Sequence, residues 1–254
     1  MFARSLSAIV FAGLGAAAQA FGPPFITDDP EPVEFGHYEV YIASQYFHQF
    51  GGTTGTLPHF EFNYGVAPNL QLHMIAPMAY ATGPGQPWNY GFGDTELGFK
   101  YRLLDESSKA PMVGIFPLVE VPTGDASRGL GTGNTAVYLP VWLQKGFGNW
   151  TAYGGGGYWH NPGAGNRDYW FSGLTLQCQI TKKLLIGGEM FHTTSQAEGF
   201  GDITGFNIGA VYDFDEGHHL MMSLGTGLQG ADHGTGYLAY QWTFGKDRKE
   251  KEKS

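Results

Sequence analysis

The sequence is poor in charged residues, in cysteine and in long apolar runs. Charged residues occupy 15% of the 254 positions, whereas an ordinary soluble domain carries about 25%. The single cysteine, Cys178, excludes an intramolecular disulfide and a thiolate metal cluster. The longest run without a polar side chain covers residues 8–18, and a membrane-spanning helix requires roughly 18 apolar residues. A helical membrane protein is therefore excluded.

Basic residues are also few, and the chain is acidic. It has 14 Lys and Arg against 23 Asp and Glu, a formal net charge of −9. Nucleic acid is excluded as a partner, because binding to phosphates requires a clustered basic face. Five of the basic residues lie in the last nine positions, where acids are interleaved with them. We predict that residues 245–254 form a charged, disordered tail.

Residues 1–20 have the pattern of a secretory signal peptide. Arg4 precedes an apolar stretch over residues 6–18, and Ala18-Gln19-Ala20 supplies the small residues of a cleavage site. We predict that the protein is exported and that the mature chain begins at Phe21.

A segment rich in proline and acidic residues, 21–36, follows the signal peptide. Four prolines and four acids make it unsuitable as a barrel strand. We expect a simple lead on the periplasmic side, and a plug folded into the interior is the alternative.

From residue 37 to residue 244 the chain alternates between polar and apolar side chains. Tyr38, Val40 and Ile42, for example, alternate with Glu39 and Tyr41. This period of two is typical of β-strands that have two different faces. Each run reaches the roughly 9–11 residues that a tilted strand needs to cross a bilayer. The twelve predicted strands cover residues 37–48, 57–66, 69–80, 90–103, 110–122, 135–146, 149–158, 168–180, 183–194, 202–214, 218–228 and 235–244.

The predicted connections alternate between short turns and long loops that are mostly rich in glycine. Residues 67–68, 147–148 and 181–182 are tight turns, whereas 49–56, 123–134 and 159–167 are long loops. Outer-membrane barrels have this arrangement, with the short turns on the periplasmic side.

The scarcity of charge distinguishes a membrane barrel from a soluble β protein, because the outside of a soluble protein must be covered with polar groups. One face of the predicted strands is apolar, and we assign tryptophans near strand ends to interfacial girdles. These tryptophans are Trp88, Trp142, Trp150, Trp170 and Trp242. The sequence therefore predicts an all-β fold, an antiparallel up-and-down transmembrane barrel of about 12 strands in the outer membrane of a Gram-negative cell. Its partners would be membrane lipid and, during biogenesis, the barrel-assembly machinery.

Several stretches of the mature chain resemble one known family. They are residues 23–33 (PPFITDDPEPV, with Asp28 and Asp29), 91–102 (GFGDTELGFKYR), 116–125 (FPLVEVPTGD) and 129–133 (GLGTG). They are similar to the family named "putative MetA-pathway of phenol degradation". The resemblance implies an outer-membrane, transporter-like barrel and no phenol chemistry in the chain itself.

If the apolar face contacts lipid, the opposite face supplies the ionisable groups of the lumen. These groups are Glu39, Glu61, Glu96, Glu120, Glu189 and Asp213, with Lys100 and Arg102 as the bases. We expect the two bases to pair with neighbouring glutamates, and an acidic pore that favours cations or neutral solutes is the alternative. Inward aromatic residues should narrow the path, namely Tyr41, Phe47, Phe116, Phe171 and Phe191.

The resulting hypothesis is a narrow channel through which small solutes, including aromatic or apolar compounds, diffuse. A structural or adhesion barrel without transport is the alternative. An outer-membrane hydrolase is less favoured, because no Gly-x-Ser-x-Gly motif accompanies serines and histidines such as Ser172, Ser223 and His192. We expect no enzyme activity and no cofactor. We also expect no metal site, since the adjacent His218 and His219 would point to opposite faces of a strand.

Overall fold

The structure is a computed structural model and describes residues 22–49, 52–83, 87–229 and 233–245. The predicted signal peptide, 1–20, and residues 246–254 of the predicted tail lie outside the described residues. The described part is built of β-strands and one short 3-10 helix, Ala126–Arg128. The strands are β1 (His37–Gln49), β2 (Gly52–Ala67), β3 (Leu70–Thr82), β4 (Asn89–Phe92), β5 (Thr95–Leu104), β6 (Met112–Ile115), β7 (Leu118–Val121), β8 (Ala136–Phe147), β9 (Trp150–His160), β10 (Tyr169–Thr181), β11 (Leu184–Thr193), β12 (Ile203–Asp215), β13 (His218–Gln229) and β14 (His233–Gly245).

No helix in the described ranges is long and apolar enough to cross a bilayer.

The strands close into an antiparallel barrel, because β1 pairs with β14 as well as with β2. Each remaining strand pairs with its neighbours in chain order. Segments β4 and β5 both pair with β3, and segments β6 and β7 both pair with β5 and β8. Each of these two pairs makes one barrel strand, so the fourteen segments form twelve barrel strands. The predicted twelve-stranded barrel is confirmed.

Two barrel strands that were expected to run without a break are interrupted. Between β4 and β5, Asp94 is fully buried and its carboxylate accepts hydrogen bonds from the backbone N–H groups of Gly124 and Thr132. Between β6 and β7 the chain passes through Phe116-Pro117, and proline has no N–H group for the ladder. The predicted continuous strands 90–103 and 110–122 are therefore wrong.

The two rims of the barrel differ in the length of their connections. At one end, two-residue turns join β2 to β3, β8 to β9, β10 to β11 and β12 to β13, although the β5–β6 connection is longer. We call this end the short-turn rim. At the other end, the long-loop rim, extended connections follow β7, β9 and β11. The loop predicted over residues 49–56 is wrong, because Gln49 pairs with Gly52 and both strands extend to this rim.

The outside of the barrel is apolar, as the alternation predicted. Along β1, Tyr38, Ile42 and Tyr46 are exposed on the outside, whereas Tyr41 and Gln45 are buried in the interior. The same division holds for the other strands, where leucine, phenylalanine and tyrosine dominate the exposed face. Since lipid offers no hydrogen bonds to the backbone, a closed barrel with such an exterior is suited to a membrane.

Trp142 departs from the predicted tryptophan girdle. Trp170 is 60% exposed on the outside, but Trp142 is 2% exposed and belongs to the interior cluster with Phe171. It lies on the same face of β8 as the buried Tyr138, four residues away. The expected assignment of Trp142 to an interface is therefore wrong.

Candidate functional site: the barrel lumen

Most of the segment 22–35 lies inside the barrel, and its last residues, Glu34 and Phe35, are exposed at the short-turn rim. Phe25, Thr27 and Asp28 are almost completely buried, and Val33 is buried nearer the short-turn rim. This placement differs from the periplasmic lead that the sequence favoured. We call residues 22–35 the lead segment.

Lumen side chains accept hydrogen bonds from the backbone of the lead segment, which within the described residues pairs with the sheet only at Phe35. The carboxylate of Glu189 accepts hydrogen bonds from the N–H groups of Ile26 and Thr27, each at 2.7 Å. The side-chain oxygen of Gln71 accepts from the N–H group of Val33 at 2.8 Å. Because a buried N–H group without an acceptor is costly, these polar side chains favour the inserted position.

Lys100 connects the barrel wall to the lead segment. Its ammonium group donates to the carboxylate of Asp28 at 2.9 Å and lies 3.6 Å from that of Asp29. It also lies 5.0 Å from the centre of the Phe116 ring, close enough for a cation–π contact. The expected pairing of Lys100 with a glutamate is wrong, because the lead segment supplies the acids.

Arg102 lies near the short-turn rim and does not pair with a glutamate either. Its guanidinium donates to the side-chain oxygen of Asn69 at 2.5 Å and contacts the carboxylate of Asp105 at 3.0 Å. It therefore tethers the β2–β3 turn to the end of β5 and contributes little to the deep lumen.

Glycines of the wall make room for the lead segment. A Cβ atom on Gly173 would lie 2.0 Å from the Thr27 hydroxyl oxygen. Cβ atoms on Gly187 and Gly209 would lie 3.1 Å and 3.0 Å from the Phe25 ring. Any larger residue at Gly173 would collide with the inserted segment, so part of the glycine excess has a steric reason.

A buried network joins Glu61, Asn63, His73 and Glu96. The Asn63 amide donates to Glu61 at 2.7 Å, so its oxygen is left to accept from Nδ1 of His73, also at 2.7 Å. Nε2 of His73 lies 3.0 Å from Glu96. With a proton already on Nδ1, this last contact requires a further proton on either the imidazole or the carboxyl group. The His73–Glu96 pair therefore shares one proton, and the network carries less negative charge than its carboxyl groups suggest.

The remaining predicted lumen acids have different surroundings. Glu39 accepts a hydrogen bond from the Tyr41 hydroxyl at 2.8 Å, and Asp213 contacts Nδ1 of His219 at 2.6 Å. Glu120 is directly opposite Glu96 in the β5–β7 register and is 3% exposed. Its Oε1 atom has no hydrogen-bond partner among the described residues.

The lead segment separates two cavities in the lumen. The cavity toward the long-loop rim has a volume of about 100 Å³, and Ile26 of the lead segment forms part of its lining. The cavity toward the short-turn rim has a volume of about 360 Å³ and is lined by Asp28 and Asp29 together with Glu61. We call them the outer and the inner vestibule.

Aromatic rings of one buried cluster line one side of the lumen in two sets of ring contacts, which together we call the aromatic series. Phe171 and Phe191 were predicted to point inward, and both are buried there. The sequence reasoning missed the other members, although the two-residue period of β8 would have placed Tyr138 and Trp142 on one face. The ring-to-ring contacts join Tyr138 to Trp159 at 4.6 Å, Trp159 to Tyr169 at 5.9 Å, Trp142 to Phe171 at 6.2 Å, and Phe171 to Phe191 at 6.4 Å.

The histidines considered for catalysis or metal binding have other partners. His192 is paired with Ser172 in the β10–β11 register, but its Nδ1 atom contacts the Thr204 hydroxyl at 2.9 Å. His218 contacts the Tyr240 hydroxyl at 2.5 Å. Within the part of the chain that the structure describes, no three His, Cys, Asp or Glu side chains are grouped to hold a metal ion.

The closed barrel, its apolar exterior and its polar lumen define a transmembrane β-barrel of the outer-membrane type. The chain belongs to the family described as "Putative MetA-pathway of phenol degradation", whose model matches residues 43–242. No curated protein matches the chain.

Solved structures with the same fold include three barrels that cover most of this chain. The COG4313 outer membrane channel from Pseudomonas putida F1 has a TM-score of 0.67 and 18% identity, over 85% of this chain and 98% of that one. The KdgM porin has a TM-score of 0.57 and 11% identity, over 80% and 99%. The translocator domain of the autotransporter NalP from Neisseria meningitidis has a TM-score of 0.51 and 12% identity, over 82% and 88%. At these identities the similarity shows the fold.

Proposed function

We propose that the protein is an outer-membrane channel through which small solutes diffuse. The observation that carries this proposal is the pair of vestibules inside the barrel, one toward each rim, with the lead segment contributing to the lining of both. Two of the similar barrels are named as an outer membrane channel and as a porin, which supports the same role. We place the short-turn rim on the periplasmic side of the membrane. Residues 1–20 would be the export signal, after which the barrel-assembly machinery would receive the chain.

The lead segment would act as the constriction of this channel. It is held by side-chain hydrogen bonds and by the ion pairs of Lys100, and in the described residues only Phe35 forms a bridge with the sheet. A segment attached in this way can leave the lumen without opening the ladder of the barrel. Its displacement would join the outer and inner vestibules into one path.

Charge and aromatic lining would select the solute. The buried carboxyl groups of Glu61, Glu120 and Glu189 outnumber Lys100, which the lead segment already neutralises. Glu96 is left out of this count, because it shares a proton with His73. A narrow lumen with this imbalance favours cations and neutral molecules over anions. The aromatic series offers flat apolar surface, so small aromatic or apolar compounds are included among the solutes.

Planar-bilayer conductance and liposome swelling test the channel. The native barrel should pass a small current and admit small neutral solutes. Lys100→Met should raise both, because it leaves Asp28 and Asp29 without their cation, and breaking a buried pair costs about 3–5 kcal/mol. Lys145→Met is the matched control, since Lys145 pairs with Glu106 at 3.2 Å away from the lead segment.

If neither the native protein nor Lys100→Met passes current or solute, the channel proposal is wrong. A structural or adhesion barrel would then be favoured. If Lys145→Met raises the current as much as Lys100→Met, the constriction by the lead segment is wrong while the channel itself stands.

A further inference from the structure

The outer vestibule combines a buried carboxyl group with aromatic walls. Glu120 lines it together with Trp159, Tyr169, Phe171 and Phe191. The cavity, of about 100 Å³, has room for a molecule of a few non-hydrogen atoms, since a single water needs about 10–15 Å³ by a comparable measure.

Glu120 is the feature of this cavity that the fold leaves unexplained. It is 97% buried, since 3% of its surface is exposed, and its Oε1 atom receives no hydrogen bond from the described part of the chain. The neighbouring Asp94 is fully engaged by the backbone N–H groups of Gly124 and Thr132, and Glu96 is engaged by His73. A buried carboxylate without a partner is costly, so the site is complete only when a cation or a proton is added.

Lys100, a buried base of the described lumen, does not serve Glu120. Lys100 is bound to Asp28 and Asp29 on the inner side of the lead segment, and Asp28 lines the inner vestibule. The cavity that contains Glu120 lies toward the long-loop rim, so a partner from outside the chain would enter from that rim.

From this geometry we infer that the outer vestibule binds a small organic ammonium ion. The positive head would lie against the Glu120 carboxylate, and its methyl or methylene groups would contact the faces of Trp159 and Phe191. Aromatic rings attract such ions through the negative charge of their faces, and they tolerate the apolar groups that a hydrated metal ion lacks. The inference deepens the proposed channel by naming the solute class of its outer end.

Choline and its neutral isostere 3,3-dimethyl-1-butanol test the site in the purified full barrel in detergent. The two probes have nearly the same shape and differ in charge, so calorimetric titration separates the ion from its apolar groups. We expect choline to bind at least about tenfold more tightly than the alcohol, and Glu120→Gln to remove this difference. Glu198→Gln, an exposed acid at the same rim, is the control and should bind choline like the native protein.

Phe191→Leu provides a second variant that keeps apolar volume and all charges. It should weaken choline binding severalfold while the alcohol binds as before. Retention of the heat-modifiable mobility of a folded barrel in electrophoresis shows that each variant is intact. Equal binding of choline and the alcohol by the native protein would overturn the inference, as would native-like choline binding by Glu120→Gln.

The titration needs no transport, so its failure is distinct from a failure of the channel. If the protein binds choline but conducts no current, the ammonium site stands and the channel proposal is wrong. If it conducts current but does not bind choline, the channel proposal stands and the ammonium site is wrong.

Discussion

The Lys100 ammonium group lies 2.9 Å from the Asp28 carboxylate inside the lumen, although 72 positions separate the two residues in the chain. This ion pair joins a wall strand to a segment that has no strand partner over most of its length. It makes the lead segment part of the barrel interior.

Lys100 and Asp28 should be coupled in their effect on conductance. Lys100→Met and Asp28→Asn should each raise the open-channel current, because each removes one side of the same buried pair. The current of the double variant should be close to that of either single variant, because the same ion pair is lost in all three proteins. Single-channel recording of the three proteins measures this, and additive increases would show that the two residues act separately.

A side chain at Gly173 should expel the lead segment. Gly173→Val places a Cβ atom 2.0 Å from the Thr27 hydroxyl oxygen, closer than any packed arrangement allows. We expect faster liposome swelling than with the native protein. The electrophoretic mobility of the variant should show that its barrel is still folded.

Gly201→Val is the control for this change, because nothing lies within 4 Å of a Cβ atom at Gly201. Liposomes that contain Gly201→Val should swell at the same rate as liposomes with the native protein. If liposomes with Gly173→Val also swelled at that rate, the lead segment would not limit the path of the solute.

The inward position of Trp142 can be measured with lipid-borne quenchers. In variants that retain a single tryptophan, brominated lipids should strongly quench Trp170, which is 60% exposed on the outside. The same lipids should leave the fluorescence of Trp142, which is 2% exposed, nearly unchanged. Similar quenching of the two would contradict the assignment of Trp142 to the lumen wall.

Asp168 makes one loop of the long-loop rim sensitive to acid. Hydrogen bonds from the Tyr158 hydroxyl, from the Asn161 N–H group and from His160 lower the pKa of Asp168 to about 2. Because the pKa is lower in the folded loop than its ordinary value of 3.8, the stabilisation is complete above pH 4 and is lost as the pH falls toward 2. The effect is small, since the group is exposed.

Hydrogen exchange of the Asn161 amide between pH 5 and pH 2 measures this loss, after correction for the intrinsic pH dependence of exchange. Asp168→Asn should show low protection already at pH 5. Constant protection of the native loop across this range would exclude a role of the Asp168 charge.

The barrel follows from local patterns in the amino-acid sequence. Alternation with a period of two is a local property, so the faces of β1 and the number of barrel strands could be read directly. The shortage of charge then assigned the apolar face to lipid, because the outside of a soluble protein would need more polar side chains. The interruptions at Asp94 and Pro117 were missed, since alternation continues across them.

The lumen was decided by the tertiary structure. The lead segment has no periodicity, and its burial depends on Glu189, Gln71 and Lys100, which barrel closure brings around it. Lys100 pairs with Asp28 because both are removed from water at the same place, and local sequence cannot indicate which acid shares that place. The same holds for Glu120, whose unpartnered Oε1 atom becomes apparent only once the surrounding strands define a cavity.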